Sequence, residues 1–255
     1  MAEAKCHIGT MGWGYAFWEG NFYPEGTHAR DYLKEYSRHF MTVEIDSTFY
    51  RIPPAAMVKN WKAQVPDGFV FSAKFPQDIT RAKMLRDAAG ETEAFVGNMA
   101  LLREKLGVLL IQLPYEFGPE NFSVLKSFLH ELPKGFRYAV EAKNKKWLDE
   151  SLYRLLGDFK TALVLVDHPW MPEMDTLTAD FAYIRWEGDR EKVVGTTGKQ
   201  EADRNADIRK WVPKVKRFLG DGKEVFGYFS KHYSGYAPTD ADYMLKLLGQ
   251  PRPEP

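Results

Sequence analysis

Short apolar runs alternate with amphipathic stretches along most of this chain. Runs at 6–10, 42–46, 69–74, 108–112, 138–141, 163–167, 181–185 and 224–229 are rich in Val, Ile, Leu, Phe and Tyr and read as strands. Between most of them, apolar residues recur at helical spacing. Tyr32, Leu33, Tyr36 and Phe40 share one side of 28–40, with Thr27 as the expected N-cap. Further helices are expected over 55–64, 91–106, 121–132, 150–159, 200–219 and 239–248. Gly107 follows 91–106 as a helix-stopping glycine would, and Pro213 predicts a kink or restart within 200–219. Two connections break the rhythm. The stretch 75–90 is long and carries Arg81, Lys83 and Arg86, and 167–180 is too short and too proline-rich (Pro169, Pro172) for a crossover helix.

Eight strands alternating with helices, several of them continuously apolar, imply a parallel sheet covered by helices, and eight units suggest closure. The expected fold is a single (β/α)8 TIM barrel over 1–249, irregular between strands six and seven, with a loose proline-rich tail at 250–255. The 255 residues match the roughly 250 such a barrel needs. A doubly wound open sheet is the alternative, but no G-x-G-x-x-G follows the first strand.

Composition narrows the function classes. With 35 basic and 35 acidic residues the net charge is zero, which argues against a protein that coats nucleic acid, although a local basic patch stays open. The single cysteine, Cys6, cannot form an internal disulfide and reads as a buried small residue, so a reducing, cytoplasmic setting is expected. The N-terminus has no apolar core of a signal peptide, and no stretch approaches the about 20 apolar residues of a membrane span, so no membrane association is expected.

The chemistry gathers where strands end. The second strand interleaves Glu44 and Asp46 with Val43 and Ile45 and breaks into Ser47-Thr48-Phe49-Tyr50. A carboxylate at the end of a buried strand is costly unless paired or used. Other strands end in Lys74, Gln112, Glu141, Asp167 with His168, Arg185 with Glu187, and Ser230 with Lys231. In a parallel barrel these ends and the following loops build the site. Each residue also has a plain structural reading. Asp46 can cap its turn, Gln112 can bond backbone, Arg185 can pair with Glu44 or Glu141, and His168 can be an ordinary loop residue. Trp13, Tyr15, Tyr50 and Trp147 are candidate stacking walls or core. Glu44, Asp46, Glu141, Asp167 and His168 suit a hard divalent metal, without a spacing that specifies one. Lys74, Arg81, Lys143, Arg185 and Lys231 suit an anion.

Gly9-Thr-Met-Gly-Trp13 with Tyr15, Trp18, Gly20 and Phe22-Tyr-Pro24, then Val43-Glu-Ile-Asp-Ser-Thr-Phe-Tyr50, then Phe71-Ser-Ala-Lys74 with Pro76 and Ile79-Thr80, resemble the signatures of the DUF72 (YecE-like) family. Gln112-Leu-Pro114, Glu141 with Trp147, Asp167, Arg185 with Gly188, Tyr228-Phe229 and Ala237-Pro238 extend the likeness over nearly the whole chain. The resemblance implies a TIM barrel and no known reaction. It also marks departures. Asp46 stands where Asn is usual, and Arg81, Lys143-Asn144 and Glu187 stand where histidines are usual, which weakens the case for a histidine-rich metal site.

The functional expectation is an enzyme, with hydrolase and isomerase chemistry both open, acting on a phosphate-bearing or otherwise anionic substrate. Glu44, Glu141, Lys74, Arg185 and Asp167 are its catalytic candidates. Trp13, Tyr15, Asp46, Tyr50, Gln112, Lys143 and Trp147 are its substrate contacts. No cofactor is identified beyond the divalent-metal option. The alternative is a non-catalytic protein binding a small anion or nucleic acid, the latter unsupported by net charge.

Overall fold

The structure, a computed structural model, describes residues 5–250. Eight parallel strands close in sequence order into a barrel: β1 (Cys6–Met11), β2 (Thr42–Ile45), β3 (Val70–Lys74), β4 (Leu106–Leu113), β5 (Arg137–Ala142), β6 (Ala162–Asp167), β7 (Phe181–Trp186) and β8 (Glu224–Phe229). Around them run α1 (Tyr32–Tyr36), α2 (Ala55–Gln64), α3 (Ala89–Met99), α4 (Phe122–Glu131), α5 (Glu150–Asp158), α6 (Asn205–Gly220), α7 (Lys231–Ser234) and α8 (Ala237–Leu248). β1 pairs with β8, which completes the TIM barrel.

The two-residue period of a strand sorts its side chains between two apolar regions. Val108, Leu110, Ala139, Val164, Tyr183, Phe226 and Tyr228 fill the barrel interior. Val43, Ile45, Phe71, Leu109, Ile111, Val140, Leu165 and Ile184 point outward into the layer shared with the helices. Polar groups inside the barrel are satisfied by one another. The Tyr228 hydroxyl hydrogen-bonds with Thr42 at 2.9 Å and Ser72 at 2.8 Å.

Several expectations from the sequence are corrected. The first helix is short, with a 3-10 turn at Ala29–Asp31 before α1, and Thr27 donates to the Pro24 carbonyl at 2.6 Å instead of capping it. The expected helix 91–106 is α3 followed by a 3-10 segment, Ala100–Lys105, in which Arg103 takes φ 55°. The segment is pinned by the buried Lys105, whose ammonium donates to the Val65 carbonyl at 2.8 Å. Gly107 therefore lies inside β4 and stops no helix; a Cβ there would stand 2.7 Å from Val70 Cγ1, so this strand needs glycine for close approach. The helix expected at 200–219 begins later, at Asn205, and runs through Pro213 without a restart.

Other calls stand. Residues 168–180 form no helix, as their prolines require. The long connection 75–90 contains a π-helical turn, Asp78–Ala82, followed by left-handed Met84, Leu85 and Asp87. The proline-rich tail lies, beyond Gln250, outside the described residues. No helix among the described residues is long and apolar enough to cross a membrane.

Candidate functional site at the carboxyl face of the barrel

Counting by two from the barrel interior places Glu44, Lys74, Gln112, Glu141 and Arg185 on the inner face at the carboxyl ends of their strands. They converge there on Arg185, which is 1% exposed. Its Nε–H reaches both oxygens of Glu44, at 3.2 and 3.1 Å, and Nη2 donates to Glu44 Oε1 at 2.9 Å. Nη1 donates to Glu141 at 2.5 Å and to Glu187. The remaining Nη2 donor meets Met11 Sδ at 3.1 Å, with Asp46 Oδ1 at 4.0 Å. A guanidinium has five N–H donors in a fixed fork, and here all five are spent on protein atoms.

The carboxylates are held from behind as well. Tyr183 donates to Glu44 Oε2 at 2.6 Å, and Gln112 Nε2 donates to Glu141 Oε1 at 2.9 Å. Arg190 reaches the other oxygen of Glu187 at 3.3 Å. These supports set the proton affinities apart. Burial pushes Glu44 up to about 7; Arg185 opposes this, while the nearby Asp46 charge adds to it. Burial also works to raise Glu187, but Arg185, Arg190, Lys143 and Lys74 outweigh it and bring that carboxyl down to about 2. Arg185 would be hurt by burial as well, yet Glu187, Glu44 and Glu141 hold it firmly charged.

Two groups at this mouth stay unspent. The Lys74 ammonium lies over the Phe49 ring, 4.1 Å from its centre, and has no hydrogen bond and no carboxylate within 4 Å among the described residues. Burial and then the Arg185 charge pull its pKa below the ordinary lysine value, against Asp46, Glu141 and Glu187. Asp46 Oδ1 is buried without a hydrogen-bond partner. Arg81 lies over the same Phe49 ring at 5.0 Å, and Lys143 and Arg190 stand close enough to act on Glu187.

Asp167 is not brought to this cluster. It is the odd-register neighbour of inward-facing Val166, so its side chain leaves the barrel, where Trp211 Nε1 donates to it at 2.7 Å and Tyr233 at 3.0 Å. It lines a separate cleft of about 400 Å³ between residues 166–173 and α6. Trp147 is 1% exposed and packs in the outer layer, donating to the Phe117 carbonyl at 2.6 Å. Trp13 packs edge-on against Trp61 at 5.8 Å. Tyr15 is half-buried, its hydroxyl donating to the Met11 carbonyl at 2.8 Å, and Tyr50 stands exposed on the rim. Of the carboxylates considered for a metal, Glu44, Asp46 and Glu141 lie around the Arg185 guanidinium and Asp167 lies apart, and among the described residues no group of three or more His, Cys, Asp or Glu is disposed to hold a metal ion. The sequence placed Glu187 among the strand-end groups without giving it a role, and named neither Tyr183 nor Met11 as a site residue. The signal for the first two was present: both lie two residues from Arg185, on the same strand face.

The profile of a family described as "Protein of unknown function DUF72" matches residues 7–255. UPF0759 protein YecE of Escherichia coli (strain K12) is 36% identical over 115 residues, a stretch that covers 45% of this chain and 42% of that protein. UPF0759 protein YunF of Bacillus subtilis (strain 168) is 26% identical, covering 95% of this chain and 94% of its own length. The crystal structure of a DUF72 family protein from Thermotoga maritima MSB8 superposes with a TM-score of 0.83 at 25% identity, over 96% of this chain and 100% of that one.

Proposed function

The chain belongs to the DUF72 family, and from that premise we propose that it is an enzyme acting at the carboxyl face of its barrel on an anionic, phosphate-bearing substrate. The observation that carries the reading is Lys74. A cation kept half-buried without an acceptor is a standing cost to the fold, of the kind retained where a ligand supplies the missing partner. With three carboxylates committed to Arg185, the other cations of this mouth are Lys74, Arg81, Lys143 and Arg190, the last also bonded to Glu187, a set suited to an anion. Arg185 does not touch the substrate in this reading, because it has no donor to offer; it positions Glu44 and Glu141. Glu44, whose carboxyl burial raises toward the range where it exchanges protons near working pH, and Glu141 are then the proton carriers.

Calorimetric titration with glycerol 3-phosphate and inorganic phosphate tests the anion site. Wild type binds, and Lys74→Met weakens binding at least about tenfold, which is about 1.4 kcal/mol, while its urea midpoint is no lower than that of wild type. A screen of phosphate-bearing sugars followed by NMR then finds conversion that Glu141→Gln loses. Absence of binding to wild type at millimolar ligand overturns the reading.

A further inference from the structure

An ammonium that only binds an anion works best fully charged, in contact with water or with several donors beside it. Lys74 has a different setting. It stands on the inner face at the end of β3, over an aromatic ring, with the Arg185 cation among its neighbours and no acceptor holding its proton. Arg81, Lys143 and Arg190 share the anion-holding task with it. Beside Lys74 sit groups able to move protons: Asp46, with a buried oxygen that no hydrogen bond occupies, and Glu141. A desolvated lysine next to another cation, with acid–base groups at hand, is the arrangement that makes an amine nucleophilic.

We infer that Lys74 acts as an amine nucleophile toward a carbonyl carbon, so that the substrate is a phosphate-bearing aldehyde or ketone captured as a Schiff base. This rests on the anionic-substrate reading above and specifies its chemistry. Lys74 first gives up a proton to a carboxylate of the mouth. The nitrogen lone pair then forms a bond to the carbonyl carbon, and the C=O π pair moves to oxygen, which takes a proton to give a carbinolamine. The nitrogen then gives up a second proton, which frees its lone pair again, and that proton, passed to the hydroxyl, lets the oxygen leave as water while the nitrogen pair closes the C=N bond. Amine and carbonyl become iminium and water, with no change of oxidation state. Asp46 and Glu141 carry the protons, and the rim cations hold the phosphate.

The test uses the whole chain with glyceraldehyde 3-phosphate and sodium cyanoborohydride, whose hydride reduces the iminium to a stable secondary amine. Labelling is read by intact mass and peptide mapping. Lys74 is expected to label at least about tenfold faster than the median surface lysine, because its desolvated place beside Arg185 favours the free amine over the ammonium. The rate saturates with ligand, and glycerol 3-phosphate, which has no carbonyl, competes. Lys74→Arg keeps a cation at the end of β3 but yields no adduct at this position. The wild-type labelling ratio does not depend on any variant folding. If Lys74 labels no faster than surface lysines while glycerol 3-phosphate still binds, the nucleophile is overturned and the anion site stands. If glycerol 3-phosphate does not bind at all and no preferential labelling occurs, both fall.

Discussion

The two ends of the barrel solve the same electrostatic problem differently. At the amino face, Glu224 is shared by His7 at 2.8 Å and Arg137 at 2.5 Å, and the cluster opens to solvent, with the Arg137 side chain 46% exposed. One carboxylate there meets two potential cations, and each group has a partner. At the carboxyl face the ratio is inverted: Glu44, Glu141 and Glu187 all bind Arg185, every one of them buried, while Lys74 and Asp46 Oδ1 have no hydrogen-bond partner among the described residues. The amino-face cluster is complete as it stands. The carboxyl-face cluster combines a rigid, fully bonded base with unspent groups directed at the opening, which is how barrels of this class divide stability from function between their ends.

The largest effect expected from breaking this contrast is Arg185→Met. Removing the cation leaves three buried carboxylates uncompensated, a loss of about 3–5 kcal/mol by urea unfolding. A loss below about 1 kcal/mol would mean that the cluster behaves like a surface pair. A smaller effect separates the two glutamates that Arg185 holds. Glu44 has its carboxyl raised in the folded state, so the stability it contributes is present below the ordinary 4.5 and is lost as pH rises toward about 7. Glu187 is lowered, so its contribution is present above 4.5 and is lost as pH falls toward about 2. Unfolding measured against pH should therefore flatten between 4.5 and 7 in Glu44→Gln, and between 2 and 4.5 in Glu187→Gln. Flattening in the same window for both would show that they titrate as one group. The smallest effect belongs to the other end. Arg137→Ala is expected to cost about 1 kcal/mol or less, because the pair is solvent-screened, and to leave phosphate-ligand affinity at the carboxyl face unchanged. A change in that affinity would show that the two ends are coupled through the barrel.

Much of this architecture is legible from residue pattern alone. The eight strands, the absence of a helix at 168–180 and the gathering of Glu44, Lys74, Gln112, Glu141 and Arg185 at one end all follow from period and position. Period two is a strict rule inside a closed barrel, because a side chain must point either to the axis or to the helices. The same rule separates Asp167 from the cluster, since it follows inward-facing Val166 by one residue. Local signals misled where tertiary contacts outweighed them. Gly107 looks like a helix stop until Val70 is seen packed against it, and Trp147 looks like a loop aromatic until its indole is found bonded beneath Phe117.

The sequence by itself determined the barrel and most of the charged residues that meet at the carboxyl mouth, since these depend on periodicity and burial, which are properties of the chain. Only the tertiary structure decided what those charges do to one another. A guanidinium has a fixed number of donors, and whether Arg185 reaches a ligand or exhausts itself on Glu44, Glu141, Glu187 and Met11 depends on distances between strands far apart in sequence. That same three-dimensional pairing leaves Lys74 as a half-buried cation without an acceptor among the described residues of the mouth.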